Sequence, residues 1–159
     1  FIPVAAASGL ASREELMSKK DWLGKIVMAL RERSRTMNEM VEMSEYFFTA
    51  PTEFDEAGAR KFFTKPSTAG LLRKGAQALA GVEDWNIEAE EQAYRDLIEK
   101  EGIKGGELIH PTRLALTGRT SGPGLFEIVD ILGKEESVLR LRRAADLVES
   151  GKLEGLAKP

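Results

Sequence analysis

Residues 110–144 gather most of the side chains able to do chemistry, in the order HPTRLALTGRTSGPGLFEIVDILGKEESVLRLRRA. A short apolar segment, a Gly/Ser/Thr/Arg loop at 117–122, a Pro-started helix and an Arg-rich helix follow one another directly. Glycines and small hydroxyl residues beside helix N-termini and guanidinium groups suit a polyanion better than they suit packing. The bland reading of the same loop is a helix–helix connection with a solvated Arg119. Arg31-Glu32-Arg33-Ser34-Arg35-Thr36 is the second candidate. On a helix, Arg33 flanks the apolar stripe while Arg31 and Arg35 are i,i+4 neighbours on a more exposed side, which by itself reads as a solvated face. Arg140-Leu141-Arg142-Arg143 suits an RNA backbone or, equally, the C-terminal half of a helix dipole.

Other chemistries are excluded by what the chain lacks. With no cysteine and one histidine, thiolate nucleophiles, disulfides and multi-His metal sites are ruled out. His110 precedes a proline, has no evident acid–base partner and is read as a local hydrogen-bonding residue. No catalytic residue, no metal site and no free-standing enzyme is therefore expected. The chain starts at Phe1 rather than Met, as a piece of a longer or processed protein does. Its first residues lack the basic flank of a signal peptide, and no apolar run is long enough to span a bilayer.

Helical periodicity dominates the elements that must carry these residues, and no strand pair is persuasive. Ser12 with Glu15 forms a capping box. Asp21 is read as the cap of one long helix with Leu23, Ile26, Val27, Leu30, Met37, Val41 and Phe48 on one stripe. Pro51 marks the internal boundary, giving a first unit at 1–50, a second at 51–152 and a frayed tail at 153–159. Asp55 opens a helix closed by Pro66. Ser67 or Thr68 opens another that ends at Gly81, and Asn86 or Asp84 a third with Ile87, Tyr94, Leu97 and Ile98 buried. The segment 106–116 resists assignment, since Pro111 belongs in a first turn. Pro123 is placed at a first helical position. The last helix buries Val138, Leu141, Ala145 and Val148, with Arg140 and Arg143 on the opposite side and Arg142 on the flank. Trp22, Trp85, Tyr46, Phe47 and Phe48 could stack on bases, but their positions favour core packing. The net charge of −3 conceals an asymmetry. Residues 83–101 hold eight acids against Arg95 and Lys100, leaving the remainder basic.

Three ordered motifs carry a resemblance: Arg113-Leu114-Ala115-Leu116-Thr117-Gly118, Pro123-Gly124-Leu125-Phe126-Glu127 and Leu132-Gly133-Lys134-Glu135. They closely resemble the C-terminal end of bacterial-type glutamyl-tRNA synthetases, where Arg-x-Ala-x-Thr-Gly leads into Pro-Gly-Leu-Phe-Glu and Leu-Gly-Lys-Glu. The resemblance covers the later part of the chain well and the first unit more loosely. It implies an all-α helical bundle, the anticodon-binding domain of a class I synthetase, with two helical subdomains in series. The implied partners are the tRNA anticodon stem-loop and the catalytic domain of the parent chain, in a cytoplasmic monomer with no membrane contact. The implied RNA-facing residues are Arg33, Arg35, Arg113, Arg119, Thr120, Ser121, Gly122, Pro123 and Leu125, with Arg33 and Arg35 both open as the anticodon-facing arginine. ATP and Mg belong to the catalytic domain of the parent, and no cofactor to this region. Met17-Ser18-Lys19-Lys20 resembles part of the class I Lys-Met-Ser-Lys-Ser signature, but it closes a short helix with no alternating strands around it and is read as coincidence. The alternative from another class is a helical protein-interaction module without nucleic-acid binding, which the acidic segment favours.

Overall fold

Local capping signals account for most of the architecture. The computed structural model describes residues 1–151, which among them form eleven helices and no strand. The tail expected to fray, 153–159, lies outside the described residues. In chain order the helices are α1 (Ile2–Ala7), α2 (Arg13–Ser18), α3 (Lys20–Leu30), α4 (Met37–Met43), α5 (Glu45–Phe48), α6 (Glu56–Phe62), α7 (Thr68–Ala80), α8 (Ile87–Glu101), α9 (Gly106–Thr117), α10 (Leu125–Leu132) and α11 (Lys134–Ser150). Ser12, Asp55 and Asn86 accept backbone N–H groups at the starts of α2, α6 and α8, as their positions predict.

The long helix expected from Asp21 to Phe48 is three helices. Ser34 donates its hydroxyl back to the Leu30 carbonyl at 2.9 Å, closing α3. Thr36 then caps α4, its hydroxyl accepting from Glu39 N at 3.1 Å while the Glu39 carboxylate accepts from Arg35 N at 2.7 Å. This Thr-x-x-Glu box satisfies the donors that a new helix start leaves without intrahelical partners. Arg31, Arg33 and Arg35 consequently lie in a turn, not on a helix face.

Four further expectations need correction. Residues 106–117 form one helix, with Pro111 beyond its first turn and its ring buried. Pro123 precedes α10 rather than opening it, since Gly124 is the N-cap. On α8 the buried pair is Glu90 and Tyr94, and Ile87 is exposed. Arg140 on α11 is buried, not solvated.

The most extensive helix pairing sets α11 along α7, with Leu141, Ala144 and Ala145 buried opposite Leu72, Ala76 and Leu79. α8 and α9 close on α7, where the absence of a side chain at Gly75 makes room for the Tyr94 hydroxyl. That hydroxyl pairs with Thr112 at 2.9 Å. Residues 1–50 join this assembly through specific bonds. Trp22 Nε1 donates to the Ile131 carbonyl at 2.8 Å, and Arg140 Nη1 donates to the Tyr46 carbonyl at 2.6 Å. The buried apolar side chains of both parts form one contiguous cluster. Among the described residues no helix is long and apolar enough to cross a membrane.

Candidate nucleic-acid interface

α9 ends where the loop begins. Gly118, in the left-handed conformation at φ 73°, terminates it, and a Cβ there would stand 2.7 Å from the Glu53 carbonyl oxygen. The Gly118 carbonyl accepts from Asp55 N at 2.8 Å, so the loop is tied to the start of α6. Thr117 donates its hydroxyl to the Arg113 carbonyl at 2.8 Å and accepts from Arg119 N at 3.0 Å. Thr120 folds its methyl over Gly58, where a Cβ would approach it to 2.5 Å. The loop is thus held by its own backbone and by α6, leaving Thr120 and Ser121 exposed.

Two arginines, Arg113 and Arg119, come to one phenol. Arg119 lies with its guanidinium carbon 5.6 Å from the centre of the Tyr46 ring and donates to the Glu42 carbonyl at 3.3 Å. Arg113 donates through Nη1 to the Pro123 carbonyl at 2.6 Å. Gly122 sits between Arg113 and Tyr46, its Cβ position 3.6 Å from Arg113 Nη1 and 3.7 Å from the Tyr46 hydroxyl. Burial pushes the Tyr46 phenol up to about 12, while the charges of Arg119, Arg113 and Arg33 pull the other way. Arg113 is itself shifted down, chiefly by burial and further by Arg33, with Tyr46 acting against both.

Arg33, some eighty residues before the loop in sequence, lies near enough for its charge to act on both Tyr46 and Arg113. The structure therefore brings Arg113, Arg119, Gly122 and Pro123 together beside Tyr46, with Arg33 near enough to act on it through its charge and Leu125 buried at the start of the adjoining α10. Arg35 is fixed by its backbone N–H at the α4 cap, and its side chain is not among the charges acting on Tyr46. Tyr46 packs in the core as its position predicts, but the sequence did not show that its hydroxyl end meets the arginines. Its ring is core, at 6% exposure, but its hydroxyl faces the arginines.

Beneath the cluster, Arg140 holds the parts together. Its Nη1 donates to the Tyr46 carbonyl and, at 2.8 Å, to the Leu116 carbonyl, while Nε donates to Glu136 at 2.9 Å. Arg140 is thus a positioning residue, linking α5, α9 and α11 directly under the phenol. By contrast, among the described residues none of Arg33, Arg113 and Arg119 forms an ion pair with a carboxylate. Guanidinium groups without carboxylate partners beside a buried ring can bind an anion, stack on a base, or offer fork-shaped donors to a base edge. A groove of about 360 Å³ opens beside them between Glu45, Glu53, Thr117 and Arg119.

Comparison with known proteins places this geometry in a family context. The family described as "Anticodon binding domain" matches residues 5–145. A glutamate–tRNA ligase from Desulforudis audaxviator is 44% identical over 144 residues, covering 89% of this chain and 29% of the relative. One from Moorella thermoacetica is 43% identical, covering 91% of this chain and 29% of the relative. The crystal structure of a glutamate tRNA ligase from Elizabethkingia meningosepticum, in complex with its amino acid, superposes with a TM-score of 0.76 at 26% identity. That match covers 85% of this chain and 28% of the solved one. The chain thus spans less than a third of the length of these relatives.

Proposed function

The chain belongs to the anticodon-binding domain family, and we propose that it is the anticodon-reading part of a glutamate–tRNA ligase. Its partners are the anticodon stem-loop of glutamate tRNA and the catalytic part of its parent protein. The observation that carries this reading is Arg113 and Arg119 beside Tyr46, with the charge of Arg33 acting on the same phenol and, among the described residues, no carboxylate paired with any of the three. Splayed bases of a single-stranded loop present flat faces and hydrogen-bonding edges, which guanidinium groups and exposed backbone recognise. Arg113 has a second duty, holding the Pro123 carbonyl and thereby the approach to α10, so part of its effect would be positional. Arg33 is exposed and unencumbered, and this reading favours it over Arg35 as the residue facing a base. The exposed Thr120 and Ser121, with Gly122, Pro123 and Leu125, complete the proposed surface.

In this reading residues 1–50 and 51–152 act as two subdomains that clasp the anticodon loop between them. The parent would activate glutamate with ATP and Mg bound outside this chain and transfer it to tRNA, as a monomer in the cytoplasm. Neither synthetase nucleotide signature is present here in working form, so the isolated chain should not catalyse glutamate-dependent pyrophosphate exchange. The protein-interaction alternative receives no support from the relatives.

The test is binding of the chain to anticodon stem-loops varied one base at a time. Arg33→Ala should cost about 1–3 kcal/mol and relax selectivity at one anticodon base. A uniform loss across all base variants would remove the base-reading role of Arg33. Failure of the wild-type chain to distinguish a stem-loop from an unrelated hairpin would remove the reading itself.

A further inference from the structure

A second basic surface lies at the other end of α6 and α9. Residues 57–82 contain Arg60, Lys61, Lys65, Arg73 and Lys74 and no acid at all. Three of the five are neutralised: Arg60 by Glu56 at 2.6 Å, Lys74 by Glu101 at 2.7 Å, and Arg73 by Asp146 and Glu149. Lys61 and Lys65 are not, and among the described residues they have no ion-pair partner. With Lys104, also unpaired, they rim a groove of about 240 Å³ between the end of α6 and the starts of α7 and α9. The carboxylate there, Glu107, is engaged by the Lys104 backbone N–H at 2.8 Å. One wall is flat, where Phe62 and His110 stack at 4.9 Å with 21° between their planes.

We propose that this lysine-rimmed groove binds a backbone phosphate of the same RNA whose bases meet the arginine cluster, which makes it a second, sequence-independent contact. The inference rests on the function proposed above. α9 runs from the groove to the loop, and its 12 residues separate the two places by about 17 Å, so one strand could reach both only if it extends over several nucleotides. Lysine is a compact charge on a flexible stem, suited to a phosphate whose orientation varies, whereas the arginines offer fixed forks suited to base edges. The stacked Phe62–His110 wall suits a sugar–base unit and has no use for an acidic peptide.

The experiment measures binding of the 159-residue chain to the glutamate-tRNA anticodon stem-loop, extended by its stem, across a salt series. The variants are the triple Lys61→Ala/Lys65→Ala/Lys104→Ala and the triple Lys→Arg at the same positions. All three lysines are exposed, so the fold should survive, and circular dichroism would register it if not. The alanine triple should lose roughly 10-fold or more in affinity at low salt, and its log K against log salt slope should flatten by about 1. The loss should be the same for every anticodon base variant, and the arginine triple should restore both slope and affinity. An unchanged slope, with wild type binding the RNA normally, would overturn the groove alone and leave the arginine cluster standing. A loss confined to one base variant would also overturn it. Equal binding of a polyglutamate peptide, lost in the same triple, would reassign the groove to an acidic protein. Absence of wild-type binding to the stem-loop would overturn the function and the groove together.

Discussion

The turn after α3 and the middle of α11 are both arginine-rich, and in the linear chain they look alike. In the folded protein they have opposite roles. Arg140 is 3% exposed and donates to two main-chain carbonyls and one carboxylate. Burial still shifts its guanidinium down, with Glu136 acting against that and Arg143 adding to it. Arg33 is exposed and lies in the field of Tyr46 and Arg113 without a carboxylate partner. A buried arginine whose donors are consumed inside the protein is structural, and one whose donors remain open is available to a ligand. Sequence composition cannot separate the two, because the difference lies in which acceptors the fold brings near.

The strongest way to break this comparison is Arg140→Ala. It would strand the Tyr46 and Leu116 carbonyls without their buried donor and leave a cavity between α5, α9 and α11. A loss of about 3–5 kcal/mol in unfolding free energy is expected, read from urea denaturation. Arg33→Ala in the same assay should leave stability nearly unchanged. Equal effects would abolish the distinction.

The buried acid on the opposite flank sharpens it. Both Glu90 oxygens are buried with no hydrogen bond of acceptable geometry, although the Asp130 carboxylate lies close enough to act on them. Burial first, then Asp130, pushes the Glu90 carboxyl up to about 8, with Lys25 opposing. The folded state therefore holds a proton that the unfolded chain gives up at ordinary glutamate values. Stability from this group is complete below that range and is lost as pH rises through about 8. A fall of about 3 kcal/mol between acidic and mildly alkaline pH is the expected order of magnitude. Glu90→Gln should flatten that profile and raise stability at the alkaline end, measured as urea midpoints against pH. A wild-type profile that rises over this range would contradict the assignment.

Thr36→Ala asks whether the open arginines depend on their own local frame. Loss of the α4 cap should cost about 1 kcal/mol of stability, and the turn carrying Arg33 should show faster amide exchange. RNA affinity should drop with it, though less than for Arg33→Ala. Unchanged exchange at Arg33 and Ser34 would show that packing, not the cap, sets the turn.

The smallest effect is expected at Arg143, exposed on α11 beside the buried Arg140. Arg143→Ala should leave stability intact and weaken all stem-loop variants alike by under about 1 kcal/mol, with a slightly flatter salt dependence. Base-selective loss there would extend the reading surface to α11.

Much of the architecture was legible in the chain because caps and breakers act over a few residues. Ser12, Asp55, Asn86, Gly81 and Gly133 mark helix ends where the sequence places them, and the apolar stripes of α3, α7 and α11 lie in the core. The same local logic was available at Thr36 and Glu39, but an apolar period running from Leu23 to Val41 outweighed it and hid the turn. The ordered motifs from Arg113 to Glu135 pointed to the family through their resemblance, without the geometry. What only the tertiary structure decided is which charges are spent. Arg140 meets carbonyls from residues 24 and 94 positions away, and Tyr46 lies in the field of guanidinium groups from two separate stretches of chain. Such pairings depend on how helices pack across the core, a relation that no local spacing encodes.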